Sequence, residues 1–381
     1  MKAQIIVGDV RTSLRQIEEG SVQTCITSPP YWGLRDYGND GQIGLEQTPD
    51  EYVAQMVAVF REVWRVLRDD GTLWLNIGDS YSSARDSKAV PDSLRNGEGT
   101  LVGKAANRNP ANLKSAGLKH KDLVGIPWRV ALALQADGWY LRQDIIWSKP
   151  NPMPESVRDR CTKSHEYVFL LTKSPKYFYD NEAIKEPAQD WGTRDRTNGK
   201  YHNEGSGLTP HTGLTKSYET KNKRSVWSIN TKPFKGAHFA VMPEALVEPC
   251  LLAGVPQGGC CSICRAPYIR DIEYGSRENS EVRIDTLNVI PGRNKPSRLQ
   301  SKAMETLPRK LLGWIQDCEC LESESIPSLA LDPFTGSGTV AVVALRNNCN
   351  FIGTELNPAY AEIAKNRILD SNPMFDEVEI L

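Results

Sequence analysis

Two short runs hold residues whose types and spacing could do chemistry. The first is Thr27-Ser28-Pro29-Pro30-Tyr31-Trp32. Two consecutive prolines stiffen the backbone and cannot donate hydrogen bonds. The Ser28 hydroxyl and the Pro29 carbonyl then stand as fixed acceptors beside the flat face of Tyr31. Two acceptors next to an aromatic plate suit a planar substrate with an exocyclic amine; the bland alternative is a proline-rich turn. The second run is Asp332-Pro333-Phe334-Thr335-Gly336-Ser337-Gly338-Thr339, with Glu355 following. Its glycines let the backbone approach a ligand, and a helix beginning there offers unpaired N–H groups. Glu355 is placed to accept hydrogen bonds from a ribose diol. The third glycine of a dinucleotide fingerprint is missing, so a nucleoside with a small polar tail fits better than a pyrophosphate. An ordinary strand–turn–helix connection is the alternative, and the pairing of the two runs favours the ligand.

The nine cysteines form a further constellation. Cys25, Cys161, Cys250 and Cys349 are isolated. Cys261-x2-Cys264 with Cys318-x-Cys320 makes the four-thiolate set that a structural zinc ion takes, and Cys260 competes with Cys261 as a ligand. Free thiols are the alternative. Cys250 follows a proline as some catalytic cysteine nucleophiles do, but it lies in an apolar helical stretch and reads as a buried core residue. The five histidines do not cluster; His165 alone is kept as a pocket candidate.

These groups need elements to position them. Apolar runs at residues 3–7, 22–27, 72–77, 143–147, 167–172, 329–331 and 350–354 predict seven strands, mostly continuous rather than alternating, as strands covered on both faces are. Thr48-Pro49-Asp50-Glu51 predicts a capped helix start, the apolar spacing from Val53 to Leu67 continues it, and Gly71 reads as its stop. Further helices are expected from Gly338 and from Asn357-Pro358. Alternating strands and helices predict a mostly parallel α/β sheet. Residues 80–122, 181–236 and 255–326 break the rhythm with polar, Gly-rich or Cys-containing stretches.

The chain of 381 residues is 39% hydrophobic, enough for a sizeable core, and no window is apolar enough for a membrane helix. The start lacks a signal-peptide pattern, so a cytoplasmic protein is expected. The formal net charge of -1 looks unfavourable for nucleic acid. It is a sum over opposed segments. Residues 80–130 hold nine Lys/Arg against four Asp/Glu, residues 191–235 nine against three, and residues 321–381 three against nine.

Ser-Pro-Pro-Tyr followed much later by Asp-Pro-Phe-x-Gly-Ser-Gly resembles the S-adenosylmethionine-dependent DNA amino-methyltransferases. The catalytic tetrapeptide precedes the cofactor turn, as in the permuted β class; protein-glutamine methyltransferases with a similar motif have the reverse order. The resemblance covers most of residues 1–80, 124–180 and 226–369. It implies a Rossmann-like seven-stranded methyltransferase sheet with an inserted, loop-rich DNA-recognition region, expected at 181–236. The catalytic part would span residues 1–180, with a polar insertion at 80–122. Residues 237–254 would form the pre-cofactor helix segment, 255–326 the small zinc lobe, and 327–381 the cofactor part. It further implies that Ser28, Pro29, Pro30 and Tyr31 are catalytic. Asp9, Phe239, Asp332, Phe334, Gly336, Ser337, Gly338, Thr339 and Glu355 would bind the cofactor. Trp32, Trp147 and Lys149 would line the target-base pocket.

The implied reaction moves a methyl group to an exocyclic amine of a base flipped out of double-stranded DNA. Ser at the head of the tetrapeptide favours N4 of cytosine over N6 of adenine. An RNA or protein amide methyltransferase and a non-catalytic DNA-binding subunit are the rivals; motif order opposes the first and the intact motifs the second. Such enzymes act alone or beside a cognate restriction endonuclease.

Overall fold

The computed structural model describes residues 1–36, 38–82, 104–105, 117–188, 220–232, 241–274, 309–371 and 377–381. They fall into two compact units, Met1–Val255 with Ser328–Leu381, and Pro256–Pro327.

The first unit is built on a sheet of β1 (Lys2–Val7), β2 (Val22–Thr27), β3 (Leu67–Ile77), β4 (Tyr140–Ser148), β5 (His165–Thr172), β6 (Val226–Ser228), β7 (Leu329–Asp332), β8 (Asn350–Glu355) and β9 (Glu377–Ile380). Their spatial order is β6-β4-β5-β3-β2-β7-β8-β1-β9. Neighbours run parallel except where β5 pairs with β3 and β4. The seven expected strands are all present, but among the described residues the sheet has nine. The two additions are edge strands. β9 reads Glu-Val-Glu-Ile, and β6 has only three residues, so neither shows the continuous apolar run of a central strand.

Among the described residues six helices flank this sheet: α1 (Val10–Ser13), α2 (Pro49–Val66), α3 (Ile126–Ala136), α4 (Glu244–Gly254), α5 (Thr339–Arg346) and α6 (Pro358–Ser371). Side chains alternate between two buried clusters. Leu73, Leu75 and Ile77 join Tyr52, Met56 and Phe60 of α2 and Val130 and Leu134 of α3. Trp74, Val168 and Leu170 join Leu246 and Leu251 of α4, Val340 and Val343 of α5 and Ile368 of α6. β2 is buried at every position, which fixes it as a central strand.

α2 starts as expected. Thr48 accepts from the Glu51 amide, Glu51 reaches back to the Thr48 amide, and Pro49 occupies the first turn. Its end differs. The helix stops at Val66, β3 begins at Leu67 with no loop, and Gly71 lies inside the strand. A β-carbon at Gly71 would meet Leu67 Cγ at 2.7 Å and the Gln23 carbonyl at 3.0 Å, so this glycine serves close packing rather than helix termination.

The second unit contains an antiparallel hairpin, Tyr268–Tyr274 with Arg309–Gln316, and a short pairing of Cys260–Cys261 with Ser325–Ile326. Much of the polar insertion at 80–122 and of the expected recognition region at 181–236 lies outside the described residues, as does Phe239. Among the described residues no helix is long and apolar enough to cross a membrane.

Candidate functional site

Parallel strands bring their carboxyl ends to one edge, where ligands of open α/β sheets bind. Across the central order β3-β2-β7-β8-β1, that edge carries Gly78-Asp79, Ser28–Tyr31, Asp332, Glu355 and Gly8-Asp9. Three consecutive strands therefore end in or just before an acid, next to the one that ends in the tetrapeptide.

A hydrogen bond joins the two motifs directly: Thr27 Oγ1 donates to Asp332 Oδ1 at 2.7 Å. The Phe334 amide donates to the same oxygen at 3.0 Å. Asp332 is 3% exposed, and burial pushes its carboxyl up to about 7 against the pull of these two donors, with the nearby Glu355 charge adding to the rise. Burial also raises Glu355, whose oxygens accept from the Gly336 amide at 2.8 Å and the Asn357 amide at 2.9 Å. The turn between them is held at both sides. The Thr335 amide donates to the Thr354 carbonyl, and Thr354 Oγ1 donates to the Pro333 carbonyl.

Gly336 and Gly338 have φ of 51° and 75°, left-handed values that favour glycine. A β-carbon at Gly338 would also stand 3.0 Å from Ala364 Cβ. Arg367 donates to Ser337 Oγ and Thr339 Oγ1 at 3.0 and 2.8 Å, tying the start of α5 to α6. Phe334 packs against the α2 side of the core. Asp9 caps α1, and the Arg11 guanidinium clasps its carboxylate and holds it below the usual carboxylate range. Buried acids around a glycine turn make an acceptor-rich cradle that fits a ligand with a ribose diol and cationic groups, as S-adenosylmethionine has.

The tetrapeptide is fixed from several directions. Tyr52 donates its hydroxyl to the Pro30 carbonyl at 2.9 Å. Pro29 is buried, while Ser28, Pro30 and Tyr31 are half-buried. The Tyr31 hydroxyl donates to Glu166 Oε2 at 2.8 Å, and Ser28 Oγ lies 3.4 Å from that hydroxyl. Burial and the Glu166 charge push the phenol well above its ordinary range. The ring edge abuts Gly78, where a β-carbon would come within 2.6 Å of Tyr31 Cε2.

The expected pocket residues divide. Lys149 bonds Glu166 Oε1, so it reaches Tyr31 through one carboxylate, and its ammonium sits 4.2 Å over the Trp147 ring. Trp32 instead belongs to the core: it is 2% exposed, and its indole donates to the Glu46 carbonyl. Trp147 is likewise buried, in the opposite cluster, donating to the Ile229 carbonyl. Sequence reasoning missed Glu166, Asn76, Gly78 and Tyr52. Their roles depend on strand pairing and packing, and the only local sign is that Glu166 follows the pocket candidate His165.

In the second unit, the sulfurs of Cys261, Cys264, Cys318 and Cys320 all lie within 4.8 Å of one another. Tetrahedral zinc with Zn–S of about 2.3 Å needs sulfurs about 3.8 Å apart, which this cluster can meet. Cys261 Sγ accepts from the Cys264 and Ile263 amides, and these bonds bring its thiol down to about 6. Cys260 points instead toward the Ile326 and Pro327 carbonyls, and it is Cys261 that lies in the four-sulfur group. Cys250 is buried in α4 and donates to the Leu246 carbonyl, as a core residue.

Comparison with known proteins gives a consistent set. The N6/N4 DNA methylase family model matches residues 22–261 and 318–366. Type II methyltransferase M.SmaI of Serratia marcescens is 40% identical over 366 residues, covering 96% of this chain and 90% of its own. M.Cfr9I of Citrobacter freundii is 39% identical over 372 residues, covering 96% and 87%. Among solved structures, PvuII DNA methyltransferase (cytosine-N4-specific) superposes with a TM-score of 0.51 at 15% identity, over 99% of this chain and 94% of that one, a likeness of fold.

Proposed function

Since the chain belongs to the N6/N4 DNA methylase family and is an S-adenosylmethionine-dependent DNA methyltransferase, we propose that it methylates N4 of cytosine at a specific double-stranded site. The observation that carries this reading is the Thr27–Asp332 hydrogen bond, which seats the Ser28–Tyr31 tetrapeptide beside the acid-lined turn. S-adenosylmethionine supplies an electrophilic sulfonium methyl group. Asp332 and the backbone of residues 334–338 would hold its methionine end, Glu355 the ribose and Asp9 the adenine.

Ser28 Oγ and the Pro29 carbonyl accept hydrogen bonds from the target amine. That would draw the nitrogen lone pair out of conjugation and aim it for in-line attack: the N–C bond would form as the sulfonium C–S bond breaks, the sulfur keeping its electron pair, and the amine proton would pass to water. Tyr31 stacks on the flipped base. Positioning then supplies much of the rate, because reacting atoms held in line avoid the entropy of encounter. The serine that heads the tetrapeptide supports cytosine over adenine. Residues 181–236 are proposed as the recognition region, from their place in the chain and their basic excess. Cys261, Cys264, Cys318 and Cys320 would bind one structural zinc ion. The Type II designation of the relatives supports a separate cognate endonuclease as partner.

The test is incubation of the protein with DNA and labelled S-adenosylmethionine, followed by nucleoside mass spectrometry. N4-methylcytosine is expected. N6-methyladenine would overturn the base assignment, and no labelled nucleoside would overturn the reading of the site. Ser28→Ala and Tyr31→Ala should each abolish transfer while cofactor binding survives.

A further inference from the structure

The Tyr31 hydroxyl, which stacking does not require, ends on a carboxylate that holds two further partners. Glu166 Oε2 accepts from Tyr31 at 2.8 Å and from Asn76 Nδ2 at 3.3 Å, and Oε1 accepts from Lys149. The strands dictate this meeting. In the β4–β5 register Trp147 lies opposite Glu166, and the Lys149 amide extends the pairing to the Ser164 carbonyl. Asn76, near the end of β3, anchors itself on the Tyr167 carbonyl. The Glu166 and Lys149 side chains are 15% and 17% exposed, so neither charge is free to swing into solvent.

Tyr31 is thus held at three points: its hydroxyl by Glu166, its ring edge by Gly78, and the preceding carbonyl, on Pro30, by Tyr52. A ring pinned at both ends presents one plane before any base arrives. Binding then need not order it.

We propose that Glu166 is a positioning residue: it fixes the plane of Tyr31 and ties it to Lys149 at the wall of the target-base pocket. The inference rests on reading Tyr31 as the stacking plate. A solvated ion pair would be exposed and would have no phenol as a third partner. Displacements of about 1 Å at a reacting centre cost about a hundredfold in rate. Loss of the clamp should therefore appear in kcat, with little change in cofactor affinity.

The experiment is a double-mutant cycle on DNA methylation with Glu166→Gln and Tyr31→Phe. Each variant should lower kcat by about ten- to a hundredfold. The double variant should be no slower than the slower single one, because both remove the same bond. The Kd for S-adenosylmethionine should stay at the wild-type value; Glu166→Gln leaves the Lys149 charge unpaired and should lower the melting temperature, so kcat is compared well below the transition of each variant. Two effects that simply multiply, or a Glu166→Gln enzyme with wild-type kcat, would overturn the proposal. Should Glu166→Gln fail to fold, Glu166→Gln with Lys149→Met removes both charges together and serves in the same cycle. If the wild-type protein transfers no methyl group to DNA, the reading of the site fails; if it does and the effects multiply, only the role of Glu166 fails.

Discussion

Asp332 gives the sharpest solution test. Its carboxyl sits at about 7 against an ordinary 3.8, because burial outweighs the donors Thr27 Oγ1 and Phe334 N–H. In the free protein it therefore keeps its proton up to neutral pH. A cationic ligand favours the carboxylate, so binding expels that proton and affinity rises with pH through 7. Between pH 6 and pH 8 the ionised fraction climbs about tenfold, which is about 1.4 kcal/mol of apparent affinity. The ligand's own α-amino group titrates at about 7.7–8.0 and works in the opposite direction. The informative quantity is thus the difference between wild type and Asp332→Asn.

Calorimetric titration with S-adenosylmethionine at pH 6, in two buffers of different ionisation enthalpy, should show proton release in the wild type that Asp332→Asn lacks. Superimposable pH profiles, with no difference in proton release, would refute the reasoning. Stability carries the same signature with the opposite sense. Between about pH 4 and pH 7 the folded state holds a proton that the unfolded chain has released. Stability from this group then falls as pH rises across that window, by on the order of 4 kcal/mol. Asp332→Asn should accordingly raise the melting temperature at pH 8 relative to wild type, and do so much less at pH 4.

Three further outcomes follow from packing and chemistry. Gly78→Ala places a methyl 2.6 Å from Tyr31 Cε2, so the ring must tilt; kcat should fall at least about tenfold with cofactor Kd unchanged, and a wild-type kcat would show that the ring plane is not critical. Elemental analysis should find near-stoichiometric zinc, reduced in Cys264→Ser, and chelation should speed proteolysis within residues 256–327; a zinc-free protein would end the metal assignment. Thr48→Ala should cost about 1 kcal/mol in urea unfolding, and an unchanged midpoint would mean that this capping box adds nothing.

The sequence made some of these elements legible and others not, for physical reasons. β2, β7 and β8 stand out because central parallel strands must be apolar on both faces, and α2 because its cap is a local four-residue signal. Gly71 misleads because one residue type serves two needs: ending a helix, and letting backbone approach a neighbouring strand. Trp32 follows the Ser28–Tyr31 tetrapeptide and reads as a pocket residue, yet its indole faces the core. Glu166 is 135 residues from Tyr31, and no local pattern foretells a bond that β5 creates by entering the sheet antiparallel. The two motifs are local signals; the groups they bond to are set by tertiary neighbours.

That tuning also bears on how a chain of net charge -1 approaches a polyanion. The acids at the strand ends are not free negative charges. Burial pushes Asp332 and Glu355 toward their neutral forms, Arg11 neutralises Asp9, and Lys149 neutralises Glu166. Arg346 and Arg367 do the same for Glu244 near the cofactor turn. Fields from exposed charges fade within about 8–10 Å at physiological salt, so phosphates respond to what lies nearest. The acids proposed to hold the cationic cofactor thus present little free negative charge to a polyanion. On the proposed assignment of residues 80–130 and 191–235 to DNA contact, their Lys/Arg excess would attract phosphates while the strand-end acids serve the cationic cofactor.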